Sequence, residues 1–113
     1  MKIQTGIFFV ALLVLPMVSQ AQGQCVKNEK GYLNISGEYL CTIYCPAEGL
    51  GGRAYVVQEG GVVKFINGHG DVAIGSMLPA SKNIDISDWG LSAKVVNNCQ
   101  ELVFSNTTVW LRK

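Results

Sequence analysis

The chain has 113 residues, 49% of them apolar, and sets nine Lys and Arg against eight Asp and Glu for a formal net charge of +1. That length holds one domain with a modest core. Charges of both signs are scattered, so no basic run exists to displace counterions from a nucleic acid or to hold the protein on an anionic membrane.

The first element is a leader. Met1 and Lys2 give a short positive start, Ile7 to Val18 (IFFVALLVLPMV) is an apolar run, and Ser19-Gln20-Ala21 places small residues three and one positions before a cut. This is the pattern of a secretory signal peptide cleaved after Ala21. A membrane span needs about 20 apolar residues, and the polar QAQGQ at 20–24 stops the run short of that. The mature chain is expected to be a single secreted or periplasmic domain over 22–113, with no span left after processing.

All four cysteines, Cys25, Cys41, Cys45 and Cys99, fall in that domain. An even count in a small exported chain points to two disulfides. A zinc site would want C-x-x-C pairs, which are absent, and His69 is the sole histidine. A thioredoxin-like redox pair would also want C-x-x-C, at a helix start. The spacing in CTIYC is one longer, and Pro46, Gly49, Gly51 and Gly52 behind it make a loop. Positions four apart in an extended strand are about 13 Å from each other, beyond the roughly 7 Å that a disulfide tolerates. A Cys41–Cys45 bond therefore requires a turn through Thr42-Ile43-Tyr44. The proline and glycines favour that turn, and with it a Cys25–Cys99 bond; Cys25 with Cys41 or with Cys45 stays open.

GLGGRA at 49–54 matches the letters of a dinucleotide fingerprint. The run from Ala54 onward, AYVVQEGG, is β-branched and aromatic and closes on a glycine pair, with no helix for a pyrophosphate to rest on. The stretch reads as a loop entering a strand. From Glu38 to Ile43 onward, short apolar or alternating runs recur over Ala54 to Gln58, Val62 to Ile66, Asp71 to Met77, Asn83 to Ser87, Leu91 to Val96, Glu101 to Phe104 and Thr107 to Leu111. Between them lie Glu59-Gly60-Gly61, Asn67-Gly68-His69-Gly70, Asn97-Asn98 and Ser105-Asn106, which is hairpin chemistry at a spacing of about 8 to 12 residues. No sustained helical period occurs after the leader.

The alternation assigns faces. Leu91, Ala93 and Val95 share one side of their strand, Ile84 and Ile86 one side of theirs, and Leu102 and Phe104 continue the pattern. So many short strands cannot build two large sheets, whereas closure removes exposed edges. The expected fold is all-β: a small antiparallel meander of seven or eight short strands forming a closed or nearly closed barrel.

The order SGEYLC, CPAEG, YVVQEGG, VKFINGHG, IDISDWG and LVFSNTTVWLRK resembles a set of short, uncharacterised exported proteins, mostly bacterial, built on SG-x-Y-x-C, F-x-N-x-x-G and a closing F-x-N-x-T-x-W-x-R. The likeness spans nearly all of the mature chain and implies a compact β fold with no assigned activity. Ser36-Gly37-Glu38-Tyr39 also resembles in part the serine-glycine loop with which periplasmic lysozyme inhibitors, themselves small exported barrels, plug an enzyme cleft.

For function, the carboxylates are scattered and His69 sits in a turn, so acid–base catalysis has no evident centre; paired cysteines leave no thiolate. The chain is expected to be no enzyme, to need no cofactor or metal, and to act as a monomer binding an unknown protein or glycan. An inhibitor of a lysozyme-like hydrolase is the alternative. Trp89 and Trp110 are expected in the core, because a small barrel needs bulk to close. Tyr39 and Tyr55 are then the candidate ligand contacts. Asn34-Ile35-Ser36 and Asn106-Thr107-Thr108 match glycosylation acceptors.

Overall fold

The computed structural model describes residue 25, residues 27–47 and residues 49–113. The expected leader and its cleavage point lie outside the described residues. The strands are β1 (Gly37–Ile43), β2 (Arg53–Glu59), β3 (Val62–Ile66), β4 (Val72–Ser76), β5 (Asn83–Ile86), β6 (Leu91–Val96), β7 (Glu101–Phe104) and β8 (Val109–Arg112). Each pairs antiparallel with the next, and β8 returns to β1 through Tyr39 opposite Arg112 and Cys41 opposite Trp110. The result is a closed eight-stranded barrel. The expected fold class is thereby realised.

Alternation decides what fills it. Trp110, Tyr39, Phe65, Ile84, Ile86, Leu102 and Val95 are buried inside. The aromatic rings meet at tilted and edge-on angles, with Phe104 and Trp110 4.7 Å apart between centroids. Turn chemistry fixes the corners. Gly60 sits at φ +60° between β2 and β3, and the Asn67 side chain accepts N–H bonds from His69 (2.9 Å) and Asp71 (3.0 Å) between β3 and β4, the Asx device that lets asparagine close a turn. Where the expected last strand began at Thr107, the chain instead turns: Thr107 lies at φ +75° and Asn106 Oδ1 accepts the Thr108 N–H at 3.1 Å. Those bonds shift the strand to Val109–Arg112.

One seam is weak. β4 and β5 pair only at Ser76 and Asp85, and a 3-10 turn over Ser87–Trp89 comes directly after β5. Asp88 of that turn accepts the N–H of Ile74 in β4 at 2.9 Å, standing in for a missing ladder bond. The turn thereby holds Trp89 beside Phe65, their centroids 6.2 Å apart.

Alternate connections of a meander fall at the same end, which gives the barrel two different mouths. At one end, the segment 27–36 folds back through a bridge between Lys27 and Leu33, with Leu33 and Ile35 buried. Gln58 clamps it, donating to the Leu33 (2.8 Å) and Gly60 (2.9 Å) carbonyls and accepting the Ile35 N–H at 2.8 Å. The Arg112 guanidinium binds the carbonyls of Asn34, Ser36 and Cys99, and the Cys25–Cys99 disulfide ties this end to the turn after β6. The second disulfide, Cys41–Cys45, sits at the other end with Cα atoms 5.9 Å apart. Tyr44 at φ +47° supplies the turn that this short bond requires. Both bonds have the connectivity that the spacing favours, and no described cysteine is free; two disulfides fit an oxidising compartment. No helix among the described residues is long and apolar enough to cross a membrane.

Candidate binding site at the open mouth

The end opposite the clamped segment is open. Four connections converge there: the disulfide loop after β1, the Asn67–Asp71 turn, the 3-10 turn with Trp89, and the Ser105–Thr108 turn. Between them lies a cleft of about 300 Å³. Its floor is barrel interior, Leu91, Phe104 and Trp110, and its walls are Trp89, Asn67, Asp71, Asn106, Thr108 and the Pro46-Ala47 pair.

Local structure explains why these side chains face one another. In the pairing of β1 with β8 the register shifts between Cys41 and Ile43, a bulge at the rim of the kind that redirects a strand end. Thr42, the extra residue, donates its hydroxyl to the Val109 carbonyl at 3.3 Å. Thr108 donates its own to the Tyr44 carbonyl at 2.7 Å, so the Ser105–Thr108 turn is fastened to the disulfide loop. The loop is also bonded internally, with Gly51 N–H to the Cys41 carbonyl at 2.7 Å and Gly49 N–H to that of Cys45 at 3.0 Å. Thr107, β-branched yet left-handed, is an uncommon conformation lying between two residues that line the cleft.

Two polar groups of the lining residues have no partner among the described residues. Asp71 is exposed, and its carboxylate has no hydrogen-bond or ion-pair partner among the described residues. The Trp110 indole N–H is buried without an acceptor among the described residues, although a buried indole usually finds one. Asp71 is the one formal charge among the described lining residues, and no lysine or arginine is among them.

The sequence-based candidates divide. Tyr39 is not a surface contact: it is fully buried, because it shares the inward face of β1 with Cys41 and its hydroxyl bonds the Ile35 carbonyl at 2.6 Å. The segment likened to an inhibitor's plug is therefore strand, with its tyrosine turned into the core. Tyr55 is exposed, at 42% of its surface, but lies on the outer wall of β2, opposite Ile66, and is not among the residues that line the cleft. It belongs to an apolar outer face with Val57, Val62, Val72 and Ile74, interrupted by Lys64. Trp110 is core as expected. Trp89 is only half-buried and forms the mouth's wall. His69 is exposed in its turn, and among the described residues no three His, Cys, Asp or Glu side chains form a metal-binding group. Asn34 and Asn106 each hold a local turn, bonding the N–H of Ser36 and of Thr108.

Sequence reasoning missed the mouth as a unit. The signal was the meander itself, which must bring the connections after β1, β3, β5 and β7 to one end. Compared with family models, curated proteins and solved structures, the chain matches none.

Proposed function

We propose that the protein is an exported, monomeric, non-catalytic binding domain and that its ligand enters the open mouth. The observation that carries this reading is the asymmetry of the barrel's ends. One is sealed by a clamped segment, a guanidinium and a disulfide, while the other gathers half-buried aromatic surface and polar groups without a partner among the described residues, the mixture typical of ligand pockets in barrel mouths. The leader pattern and both disulfides support export.

Binding without turnover fits the groups present. Glycoside hydrolysis ordinarily needs two carboxyl groups flanking the scissile bond, and Asp71 has no carboxylate companion among the described lining residues. Disulfide bonding occupies every described cysteine, which removes a thiolate nucleophile. The lack of cations among the described lining disfavours phosphate-bearing ligands.

Trp89 and Trp110 are the two tryptophans of the chain, so intrinsic fluorescence reads the mouth directly. Screening a small-molecule fragment library by backbone amide and indole N–H chemical shifts tests the proposal. Hits concentrated on Trp89 and Trp110 are expected. Hits confined to the outer face around Tyr55 and Ile74 would move the site elsewhere.

A further inference from the structure

Resting on that reading of the mouth, we propose that its ligand is one neutral sugar ring of a glycan chain, stacked against Trp89 and held through its hydroxyls by Asp71. Three observations lead there. First, the cleft, at about 300 Å³, lies at the small end of ligand pockets. It admits one ring-sized group, and its open side lets the rest of a chain pass outside.

Second, the lining matches the two chemistries of a pyranose. A sugar ring has an apolar C–H face and an edge of hydroxyls that both donate and accept. The half-buried indole of Trp89 lines the cleft and is in tilted contact with the buried Phe65 ring, and aromatic surface of this kind packs well against such a face. Asp71 offers an acceptor-only carboxylate with free lone pairs, and hydrogen bonds to an ionised acceptor are stronger than neutral ones. A purely apolar ligand would desolvate Asp71 with nothing in return. A hydroxyl-bearing one replaces the water that it displaces.

Third, the charge selects. With Asp71 as the sole formal charge among the described lining residues, a uronate or other acidic sugar would bring a second carboxylate into the same small space, and like charges there repel. Neutral sugars meet no such penalty. The wall is also preformed: Asp71 and Trp89 stand on turns fixed by the Asn67 and Asp88 side chains, which limits the ordering cost of binding.

The test titrates the mature, disulfide-bonded protein with three probes: the β-1,4-linked trimer of N-acetylglucosamine, cellotriose, and trigalacturonate. Tryptophan emission and indole N–H shifts are the readouts. A neutral trimer should shift Trp89 saturably at millimolar concentration, with trigalacturonate at least tenfold weaker. Asp71→Asn should weaken the neutral trimers several-fold and narrow the gap to trigalacturonate. Trp89→Ala should lose binding, Trp89→Phe should recover part of it, and Tyr55→Ala should change nothing. Asp71 is exposed, so its variant tests the idea even if Trp89→Ala folds poorly.

Neutral trimers that leave the mouth unshifted, or trigalacturonate that binds as well as they do, would overturn the proposal. A pool of neutral hexapeptides is the added arm. Peptides shifting Trp89 where sugars fail would reject the saccharide while keeping the mouth as a binding site. Silence from peptides, sugars and fragments alike would reject both.

Discussion

The Tyr39 hydroxyl donates a 2.6 Å hydrogen bond to the carbonyl of Ile35, joining the first strand to the segment that seals one end of the barrel. The pair is fully buried, so the carbonyl has no water to turn to if the hydroxyl is removed. Tyr39→Phe keeps the ring and should cost about 1 to 3 kcal/mol, the usual range for orphaning a buried acceptor. Urea denaturation of the two proteins at neutral pH measures it.

The same phenol sets an alkaline limit. Burial pushes its pKa from 10.0 up to about 12, with the Arg112 charge pulling in the opposite direction. The folded state therefore retains the Tyr39 proton where the unfolded chain releases it. The stability tied to this group is fully present below about pH 10 and falls as pH climbs from there toward 12, by an amount on the order of 2 to 3 kcal/mol. Denaturation midpoints between pH 9 and 12, in steps of about half a unit, should fall more steeply for wild type than for Tyr39→Phe. Parallel curves would refute the assignment.

The disulfides should contribute unequally. Cys25–Cys99 spans 74 positions and Cys41–Cys45 spans four, which by loop-closure entropy corresponds to about 4.5 and 2 kcal/mol respectively. Replacing both members of each pair with serine and comparing thermal midpoints should rank the long bond first. The Cys41/Cys45 double variant should instead loosen the mouth, because that loop holds the Thr108 hydroxyl bond. Proteolysis within 46–52 is its readout.

Much of this architecture was legible because strand alternation is a local signal. Val62–Ile66, Leu91–Val96 and Glu101–Phe104 begin and end where the pattern says, and Ile84, Ile86, Leu102 and Phe104 are buried as their parity requires. Tyr39, read from the sequence as a surface contact, obeys the same parity instead: two positions from the buried Cys41, it shares the inward face. What alternation does not encode is closure. That Asp71, Trp89 and Asn106 meet at one mouth depends on eight strands returning to the first, and the half-burial of Trp89 depends on the weak seam between β4 and β5. Thr107 is a local exception, its β-branched type favouring the strand that its left-handed backbone ends.

Two glycines hold close approaches that no other residue allows. A Cβ at Gly61 would stand 2.6 Å from the Met77 carbonyl oxygen and 2.7 Å from the Tyr32 ring, and one at Gly75 would stand 2.8 Å from the Asp85 carbonyl oxygen. Backbone oxygen cannot swing aside as a side chain can. Gly75→Ala should destabilise by about 1 to 3 kcal/mol, the range for overpacking, and should do so by opening the β4–β5 seam. Hydrogen exchange should then speed up at Ile74, whose amide bonds Asp88, more than at Val63 in β3.

Thr107 offers the opposite sign. Its φ of +75° places a β-branched residue in the left-handed region, a conformation that costs on the order of 1 to 3 kcal/mol and survives only where the surroundings impose it. Here they do: Thr107 N–H bonds the Phe104 carbonyl at 2.9 Å, and Asn106 and Thr108 on either side are fixed by their own bonds. The Thr107 side chain is exposed and has no hydrogen bond among the described residues, so nothing is lost with it. Asparagine tolerates this region far better, and Thr107→Asn should stabilise by about 1 kcal/mol, a rise of roughly 4 to 8 °C in melting temperature for a domain of this size. Thr107→Gly should gain less, because glycine loses more chain entropy on folding. Calorimetry that placed Asn below wild type would mean that the threonine makes a contribution beyond its backbone. Neutral-trimer affinity, which depends on Asp71 and Trp89, should stay unchanged in both variants.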